Sequence, residues 1–194
     1  MFLNSYEITI QTNSSERELA LLTPATESDM PLNWTCAWPT IWNKMDSDCQ
    51  SIIKLVYQNQ IWGLMRLGIY PYPGEPKFVE IEHLEAIPIS RVKAANRYVT
   101  PIGKWLIWYA IQGGLENCQI SDQDLLLLLV SVEQAFDYYR DTIGMEYVGE
   151  STLAPGEDGY AFKFTKRQAI AYAQKHQSQW GTGRIIDPRT DHGG

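Results

Sequence analysis

The stretch DLLLLLVSVEQ, residues 124–134, decides the fold of this chain. The strand predicted over Asp124 to Val130 contains the unbroken aliphatic run Leu125 to Val130, which is typical of a strand buried on both faces. Ser131 and Gln134 follow at the spacing of a capping box, so a helix is predicted to begin directly after the strand. A buried strand that passes straight into a helix indicates a sheet with helices packed against it.

A buried helix is predicted upstream of this strand. Thr100 is a suitable N-cap and Pro101 a suitable first helical residue, because proline lacks only an N–H group that would be unpaired there. Apolar residues at helical spacing continue to Gly113-Gly114, where the helix is expected to stop. Lys77 to Ile87 precedes the helix as a strand, so strand, helix and aliphatic strand form a crossover unit.

Further strands and two short helices are predicted in the first part of the chain. Ser51 to Gln58 and Ile61 to Ile69 should pair as an antiparallel hairpin across Asn59-Gln60. Tyr6 to Thr12 alternates as a strand, and Ser15 to Leu22 begins with a capping-box pattern that predicts a helix. A second short helix is predicted from apolar residues at helical spacing in the loop after Pro24: Trp38, Ile41, Trp42 and Met45.

The last part of the chain is predicted to hold a hairpin, a helix and a tail. The helix after Val130 should run to about Thr142, and Met145 to Gly149 should pair with Tyr160 to Thr165. Thr165 and Gln168 form another capping box, which opens a helix to about Gln177. The polar segment Ser178 to Gly194 is expected to be mobile or bound to a partner, and its deletion is expected to change little.

The order of these elements predicts an α/β fold of the α+β type, with a mixed sheet and helices on both faces. One domain is expected over residues 1–178, followed by a polar tail over residues 179–194. A length of 194 residues with 44% hydrophobic residues is enough for one sizeable core.

Charge and cysteine content narrow the classes of function. The net charge of -7 repels a phosphate backbone, so nucleic acid is not an expected partner. Cys36, Cys49 and Cys118 are odd in number and far apart, which indicates neither a disulfide framework nor a zinc site and fits the reducing cytoplasm. Met1 to Ile10 has no signal-peptide pattern, and the longest aliphatic run is too short for a bilayer, so neither export nor a membrane anchor is expected.

The segment from Phe78 through Gly149 resembles the core of the GNAT superfamily of N-acetyltransferases. Three pieces carry the resemblance, in the family's order: the strand VEIEHLEAIP at 79–88, the helix entrance at 97–104, and AFDYY at 135–139 followed by IGM at 143–145. They are similar to the family's strand with its trailing proline, its pyrophosphate loop and its "A..FY...GF" segment. The resemblance implies a mostly antiparallel central sheet and acetyl-CoA as co-substrate, without a metal.

The entrance to the helix at Thr100 is the predicted pyrophosphate site. A helix N-terminus offers unpaired N–H groups and positive dipole character to an anion. Pro101 departs from the family's pattern, which resembles Arg/Gln-x-x-Gly-x-Gly, because it stands at the first glycine and has no N–H to donate. A weakened anion site is therefore expected. The expected cofactor-binding residues are Ala86, Ile87, Arg97, Thr100, Ile102, Gly103 and Lys104.

Tyr139 is the predicted general acid. It shares a helical stripe with Ala135 and Phe136 and should point inward, whereas Tyr138 is turned away by about 100°. The resemblance implies that a tyrosine at this place protonates the departing CoA thiolate. A packing role as a core aromatic is the alternative.

Glu85 is the predicted general base, with Glu82 as the second candidate. Amine attack on a thioester needs a neutral amine, and a carboxylate near the middle of the site could accept the proton. Strand alternation predicts Glu85 and His83 on one face, and Glu80 and Glu82 on the other. His83 is expected to be structural, and solvated carboxylates without a catalytic role remain the alternative.

The resemblance implies transfer of an acetyl group from acetyl-CoA to a primary amine of a small molecule or protein, by direct attack in a ternary complex. Trp34, Trp38 and Trp42 lie in the region that resembles the family's acceptor side, although core packing is the favoured explanation for them. Two alternatives stay open: a catalytically weak or silent module that binds acyl-CoA or a protein, and an acetyltransferase of aminoacyl-tRNA, which the charge of -7 disfavours. The sequence is also compatible with a homodimer.

Overall fold

The computed structural model describes residues 3–13, 16–88, 99–154 and 157–186. Nine strands form one sheet in the order β7-β8-β6-β5-β4-β3-β2-β1-β9, in which β5 and β6 are the only parallel neighbours among the described strands. The strands are β1 Ser5–Gln11, β2 Arg17–Pro24, β3 Gln50–Tyr57, β4 Gln60–Tyr70, β5 Phe78–Ala86, β6 Leu125–Ser131, β7 Glu146–Ala154, β8 Glu157–Thr165 and β9 Arg184–Ile186. The predicted mixed, mostly antiparallel sheet is confirmed.

Helices cover both faces of this sheet, as predicted. The α-helices are α1 Trp38–Asn43, α2 Ile102–Asn117 and α3 Lys166–Trp180. Short 3-10 helices span Glu27–Asp29 and Glu133–Ala135, and a π-helix spans Tyr138–Ile143. No helix in the described ranges is long and apolar enough to cross a bilayer.

Two separate groups of buried side chains hold the helices to the sheet. Helix α2 is almost wholly buried on one face, where Trp105, Trp108 and Tyr109 pack with strand residues and with α3. Helix α1 covers a smaller group on the other face, centred on Trp38, which is fully buried against Ile52 and Leu64. Burial of one such aromatic side chain contributes roughly 3 kcal/mol, so α2 anchors the larger half of the core.

The hairpin of β3 and β4 confirms the predicted pairing. Its turn lies one residue earlier in the sequence than predicted. Gln58 and Asn59 form the turn, and both have positive φ angles, of 50° and 58°. This left-handed pair is the geometry of a type I′ turn, whose twist matches that of the flanking strands. Asparagine tolerates it better than most residues.

The helix predicted over Ser15 to Leu22 is wrong, because this segment forms β2. Alternate residues of β2 are buried, with Ala20 and Leu22 facing the core. Ala20 pairs with Ile8 of β1, and Leu22 pairs with Leu55 of β3, so the strand has a neighbour on each side. Pairing on both edges outweighs a local capping pattern, since helix propensity is a weak influence beside tertiary packing.

Helix α2 begins one residue later and ends later than predicted. Pro101 takes the N-cap position, and Thr100 instead exchanges two backbone hydrogen bonds with Gln11, at 2.8 and 2.9 Å. The helix continues through Gly113 and Gly114 to Asn117. A Cβ atom at Gly114 would lie 3.1 Å from Leu126 and from Val79, so this glycine allows close packing on the sheet and does not end the helix.

The single helix predicted after β6 is also wrong. Ser131 is the last residue of β6 and caps nothing; the chain then makes a 3-10 turn and the π-helix Tyr138–Ile143. The π-helix ends at Gly144, whose φ of 80° is left-handed and natural for glycine. The hairpin of β7 and β8 confirms the prediction, although both strands are longer.

The predicted tail contains folded structure. Helix α3 extends to Trp180, and Arg184–Ile186 adds β9 to the sheet edge by antiparallel pairing with Ser5, Tyr6 and Glu7. Gly183 lies so close to Trp108 that a Cβ atom would be 2.6 Å from its ring. The boundary predicted at residue 178 therefore cuts through α3 and separates β9 from its partner strand.

Deletion of residues 179–194 is now expected to destabilise the protein, contrary to the prediction from composition. The loss of three cross-strand pairs and of the cover over Trp108 should lower the free energy of unfolding by about 3 kcal/mol. The thermal midpoint should then fall by about 10 °C. A second truncation that removes only residues 187–194 isolates the contribution of residues 179–186; equal midpoints for the two truncations would contradict the assignment.

Candidate active site

A wedge-shaped cavity opens where the two parallel strands separate. Strands β5 and β6 pair only from Val79 to Ile81 and from Leu127 to Leu129, and they diverge beyond these residues. The gap encloses about 390 Å³. Its lining comes from both strands, the loop before α1 and the helical segment after β6: Cys36, Ile81, Glu82, His83, Leu84, Leu129, Val130, Ser131, Val132, Ala135 and Tyr139.

A β-bulge in β5 aims side chains at this wedge. His83 pairs with Arg66 and Ile81 pairs with Leu67, so Glu82 has no counterpart on β4. The bulge shifts the alternation of β5 by one place: Val79, Ile81 and Leu84 pack on the α2 side, whereas Glu82 and Glu85 bond to groups on the α1 side. The predicted separation of Glu82 and Glu85 onto opposite faces is therefore wrong.

Tyr139 lies at the bottom of the wedge, as its helical stripe predicted. The π-helix directs it inward, and only 7% of the residue is exposed. Its ring packs against Tyr138 and Phe162, with centroids 5.3 and 5.8 Å away. Burial, and then the neighbouring Tyr138, raise the pKa of the Tyr139 hydroxyl above its ordinary value, so it carries its proton at neutral pH.

Two polar side chains that the sequence did not single out for catalysis also line the wedge. Ser131 is only 4% exposed, and its Oγ has no hydrogen-bond partner among the described residues. His83 is half-buried, and its Nδ1 likewise has no partner within the described ranges. Burial and the nearby Arg66 lower the pKa of His83, while Glu82 opposes this effect, so the imidazole is neutral near pH 7. Unpaired polar atoms beside a cavity are positions where a ligand can bind.

Glu85 does not line the wedge. Its carboxylate accepts hydrogen bonds from the backbone N–H groups of Thr35, at 2.7 Å, and Cys36, at 3.1 Å, and from Trp38 Nε1, at 2.9 Å. These three donors fix the loop that leads into α1. The carboxylate is therefore engaged in holding this loop, a role that strand alternation alone could not reveal.

Glu82 lines the wedge but is held in a polar network. Arg66 Nε lies 2.8 Å from one carboxylate oxygen, and Gln50 Nε2 donates to the other at 2.7 Å. The Tyr70 hydroxyl donates to the same oxygen as Gln50. The Glu82 carboxylate is therefore already engaged by Arg66, Gln50 and Tyr70.

The start of α2 presents the N–H groups of its first turn. The N-cap residue, Pro101, provides no side-chain cap, and Ile102, Gly103 and Lys104 follow it. Gly103 is needed for close approach, because a Cβ atom there would lie 2.7 Å from the Tyr138 hydroxyl. Thr100 is not the predicted N-cap, and Arg97 lies outside the described residues.

Ala86 and Ile87, the other predicted cofactor-binding residues, end β5 next to β4. Ala86 pairs with Gly63, and the Ile87 N–H donates to the Trp62 carbonyl oxygen at 2.9 Å. Neither lines the wedge. They connect its β5 wall to the segment that precedes α2.

The predicted aromatic wall on the acceptor side is only partly available. Trp38 belongs to the buried core, so the packing interpretation holds for it. Trp34 and Trp42 are half-buried against the same group. The loop before α1 contributes Cys36 to the wedge. No cluster of side chains suited to a metal ion occurs in the part of the chain that the structure describes.

Solved structures resemble this fold over nearly the whole chain, whereas no protein-family model and no curated protein matches the sequence. An uncharacterised protein from Bacillus halodurans aligns with a TM-score of 0.63 at 11% identity, covering 92% of this chain and 99% of its own. RimJ from Mycobacterium smegmatis, in complex with CoA-disulfide, aligns with 0.57 at 11%, covering 95% and 98%.

An aminoglycoside acetyltransferase, AAC(6')-Ib in complex with coenzyme A and kanamycin, aligns with a TM-score of 0.52 at 12% identity, covering 80% of this chain and 99% of its own. An acetyltransferase assigned to the GNAT family, from Desulfovibrio desulfuricans, aligns with a TM-score of 0.52 at 8% identity, covering 76% of this chain and 99% of its own. Because these sequence identities are so low, the alignments show similarity of fold and nothing more. With its mixed sheet split between β5 and β6 and its buried α2, the chain has the fold of the GNAT-family acetyltransferases.

Proposed function

We propose that this protein is an N-acetyltransferase that moves an acetyl group from acetyl-CoA to a primary amine of a small molecule or protein, by direct attack in a ternary complex. One observation carries the proposal: the wedge between β5 and β6 has a protonated phenol, Tyr139, and a neutral imidazole, His83, in its lining. A proton donor and a proton acceptor in one cavity match the two proton transfers of acyl transfer from a thioester to an amine.

Acetyl-CoA has places to bind at the wedge and at the start of α2. The N–H groups of Ile102, Gly103 and Lys104 suit the pyrophosphate, as at other helix N-termini. The edge of β5 beyond Ile81 has lost its partner β6, so its backbone groups can bond to the amides of an extended pantetheine chain. The wedge between them would then hold the thioester, beside the unpaired Ser131 hydroxyl.

The chemistry needs two proton movements at named atoms. His83 would accept a proton from the incoming ammonium, which leaves a neutral amine to attack the thioester carbonyl carbon. The C–N bond forms and the C–S bond breaks. The Tyr139 hydroxyl would protonate the departing sulfur, and the proton that the acylated nitrogen then loses would restore the phenol. Geometry favours His83 over Glu85 as base, because His83 lines the wedge and the Glu85 carboxylate already accepts three hydrogen bonds.

The acceptor would enter from the α1 side of the sheet. Cys36, in the loop before α1, contributes to the wall there, beside Glu82, whose carboxylate is paired with Arg66. The proposed reaction requires an acceptor that carries an amine. Aminoglycosides such as the kanamycin bound to AAC(6')-Ib carry amines, which supports this kind of acceptor. A protein amine is the other candidate.

A module that binds acyl-CoA without turnover is the second candidate. The observation that favours it is the engagement of Glu85, the carboxylate predicted as base, in fixing the loop before α1. On this reading, His83 would be a packing residue against the Trp38 ring, whose centroid is 6.2 Å away.

Calorimetry with acetyl-CoA, followed by a panel of amines assayed for release of free thiol, separates the two candidates. The enzyme is expected to bind acetyl-CoA and to release thiol only with particular amines. Binding without thiol release on any amine would support the silent module. No binding of acetyl-CoA would overturn both.

A further inference from the structure

A second, smaller cavity lies behind the start of α2. It is enclosed by the first turn of α2, the end of the π-helix and the last turns of α3, and it holds about 50 Å³. This volume exceeds the roughly 30 Å³ that one water molecule occupies in the liquid, and it suits a single small anion. The lining residues are Lys104, Thr142, Ile143, Tyr172, Lys175, His176 and Gln179.

Among the described residues, only cations contribute charge to this cavity. Lys104 and Lys175 line it, and none of the described carboxylates does. Within the described ranges neither lysine takes part in an ion pair, whereas Lys54, Lys77 and Lys163 each have a carboxylate within 4 Å. In a chain of net charge -7, two unpaired lysines at one cavity mark a position where an anion would be favoured.

His176 supplies a buried donor in the same cavity. The residue is only 4% exposed, and its Nε2 has no hydrogen-bond partner among the described residues. The ring is fixed edge-on to Trp105, at 4.3 Å between centroids, and stacks parallel to Tyr172 at 6.1 Å. Burial, and then the charge of Lys104, lower the pKa of His176 to about 4, so the imidazole is neutral at pH 7.

We propose that the cavity formed by Lys104, Lys175 and His176 binds a phosphate dianion, either a phosphate monoester or free phosphate. Two ammonium groups match a double negative charge, and an imidazole N–H can donate to a phosphate oxygen in place of the partner it lacks. A buried, rigidly packed donor without a partner costs free energy in the empty protein, and an anion in the cavity would recover it.

Two sources could supply this phosphate. One is the 3′-phosphate of acyl-CoA, and this source rests on the proposed function: Lys104 belongs to the helical turn proposed for the pyrophosphate, so the same ligand could reach the cavity. The other is free inorganic phosphate, which needs no coenzyme. The chemistry is the same in both cases, and the experiment separates them.

The test uses three probes and two matched variants of the full chain. Acetyl-CoA, 3′-dephospho-acetyl-CoA and inorganic phosphate are titrated into the parent, Lys175→Gln and Arg167→Gln. Lys175 is exposed, so its replacement should not disturb folding. Arg167 is an exposed cation on the same helix that does not line the cavity, so its variant matches the loss of charge. Imidazole signals of His176, assigned with His176→Asn, report directly on the cavity.

If the 3′-phosphate is the ligand, the parent should bind acetyl-CoA about tenfold more tightly than the dephospho form. Lys175→Gln should abolish that difference, and Arg167→Gln should retain it. If free phosphate is the ligand, it should shift the His176 signals in the parent and in Arg167→Gln but not in Lys175→Gln, with both coenzymes binding equally.

Equal coenzyme affinities together with unmoved His176 signals in phosphate would overturn the site. A protein that binds no acetyl-CoA at all but shows the phosphate-dependent shift would retain this site while the proposed function fails.

Discussion

Replacement of Tyr139 by phenylalanine is expected to lower turnover on an accepted amine by about 100-fold, the usual contribution of a positioned general acid. Affinity for acetyl-CoA should change little, because the sulfur needs a proton only as the C–S bond breaks. The buried ring keeps its contacts with Tyr138 and Phe162, so folding should be preserved. Steady-state kinetics, with calorimetry of acetyl-CoA binding, measure the two quantities separately.

Tyr138→Phe is the matched control, since it removes the neighbouring hydroxyl. Tyr138 lies over Gly103 and does not line the wedge, so its loss should leave turnover within a few-fold of the parent. Equal turnover of the parent and Tyr139→Phe would reduce Tyr139 to a packing residue. Similar losses of turnover in both variants would show that the two hydroxyls support the local structure and that neither donates a proton to the sulfur.

Replacement of His83 by glutamine is expected to have the second large effect, again a loss of about 100-fold in turnover. Burial and Arg66 lower the pKa of His83 below the ordinary value near 6.5. A base must be neutral, so kcat/KM of the parent should fall as the pH drops through this lowered pKa. The variant should lack that acidic limb. The assay should use an acceptor amine of low pKa, so that the amine itself does not titrate within the measured pH range.

Glu85→Gln tests the alternative base in the same assay. If Glu85 only fixes the loop before α1, this variant should keep the acidic limb in the pH profile. It should lose about 1–3 kcal/mol of folding free energy, because an amide is a weaker acceptor for the three donors. An acidic limb that vanishes in Glu85→Gln and persists in His83→Gln would assign the base to Glu85.

The central part of the fold was predictable because its signals are local and strong. The aliphatic run of β6 and the apolar stripe of α2 are long periodic patterns, and the resemblance to the GNAT core rests on these segments. Tyr139 followed from its stripe in the same way. The fold class and the general acid candidate therefore needed no structure.

The errors occurred where a distant partner decides the local conformation. The segment of β2 carries a helix-capping pattern, but strands on both of its sides fix it as extended. Strand β9 has only three residues, and its existence depends on the free edge of β1 nearly the whole chain length away. The residues next to these segments in the sequence carry no signal that would predict which distant strands they pair with.

The surroundings of Glu85, the predicted base, were hidden from the sequence for a related reason. Counting alternate residues along β5 assumes one residue per step on both strands, and the extra residue at Glu82 breaks this rule. The donors that engage Glu85 lie 47 to 50 residues away in the sequence. The unpaired polar atoms of His83 and Ser131 can be recognised only from the structure, because both burial and the lack of a partner among the described residues must be known.

The extra residue in β5 also makes that strand unequal in its tolerance of sequence change. A substitution at Glu82 would keep the bulge and alter one side chain. Deletion of Glu82 would remove the bulge but keep His83 and Glu85 on the α1 side and Leu84 beneath α2, because His83 already pairs with Arg66 and Ile81 with Leu67. Homologous proteins that share this cavity should therefore be able to lose the bulge residue without losing the placement of His83.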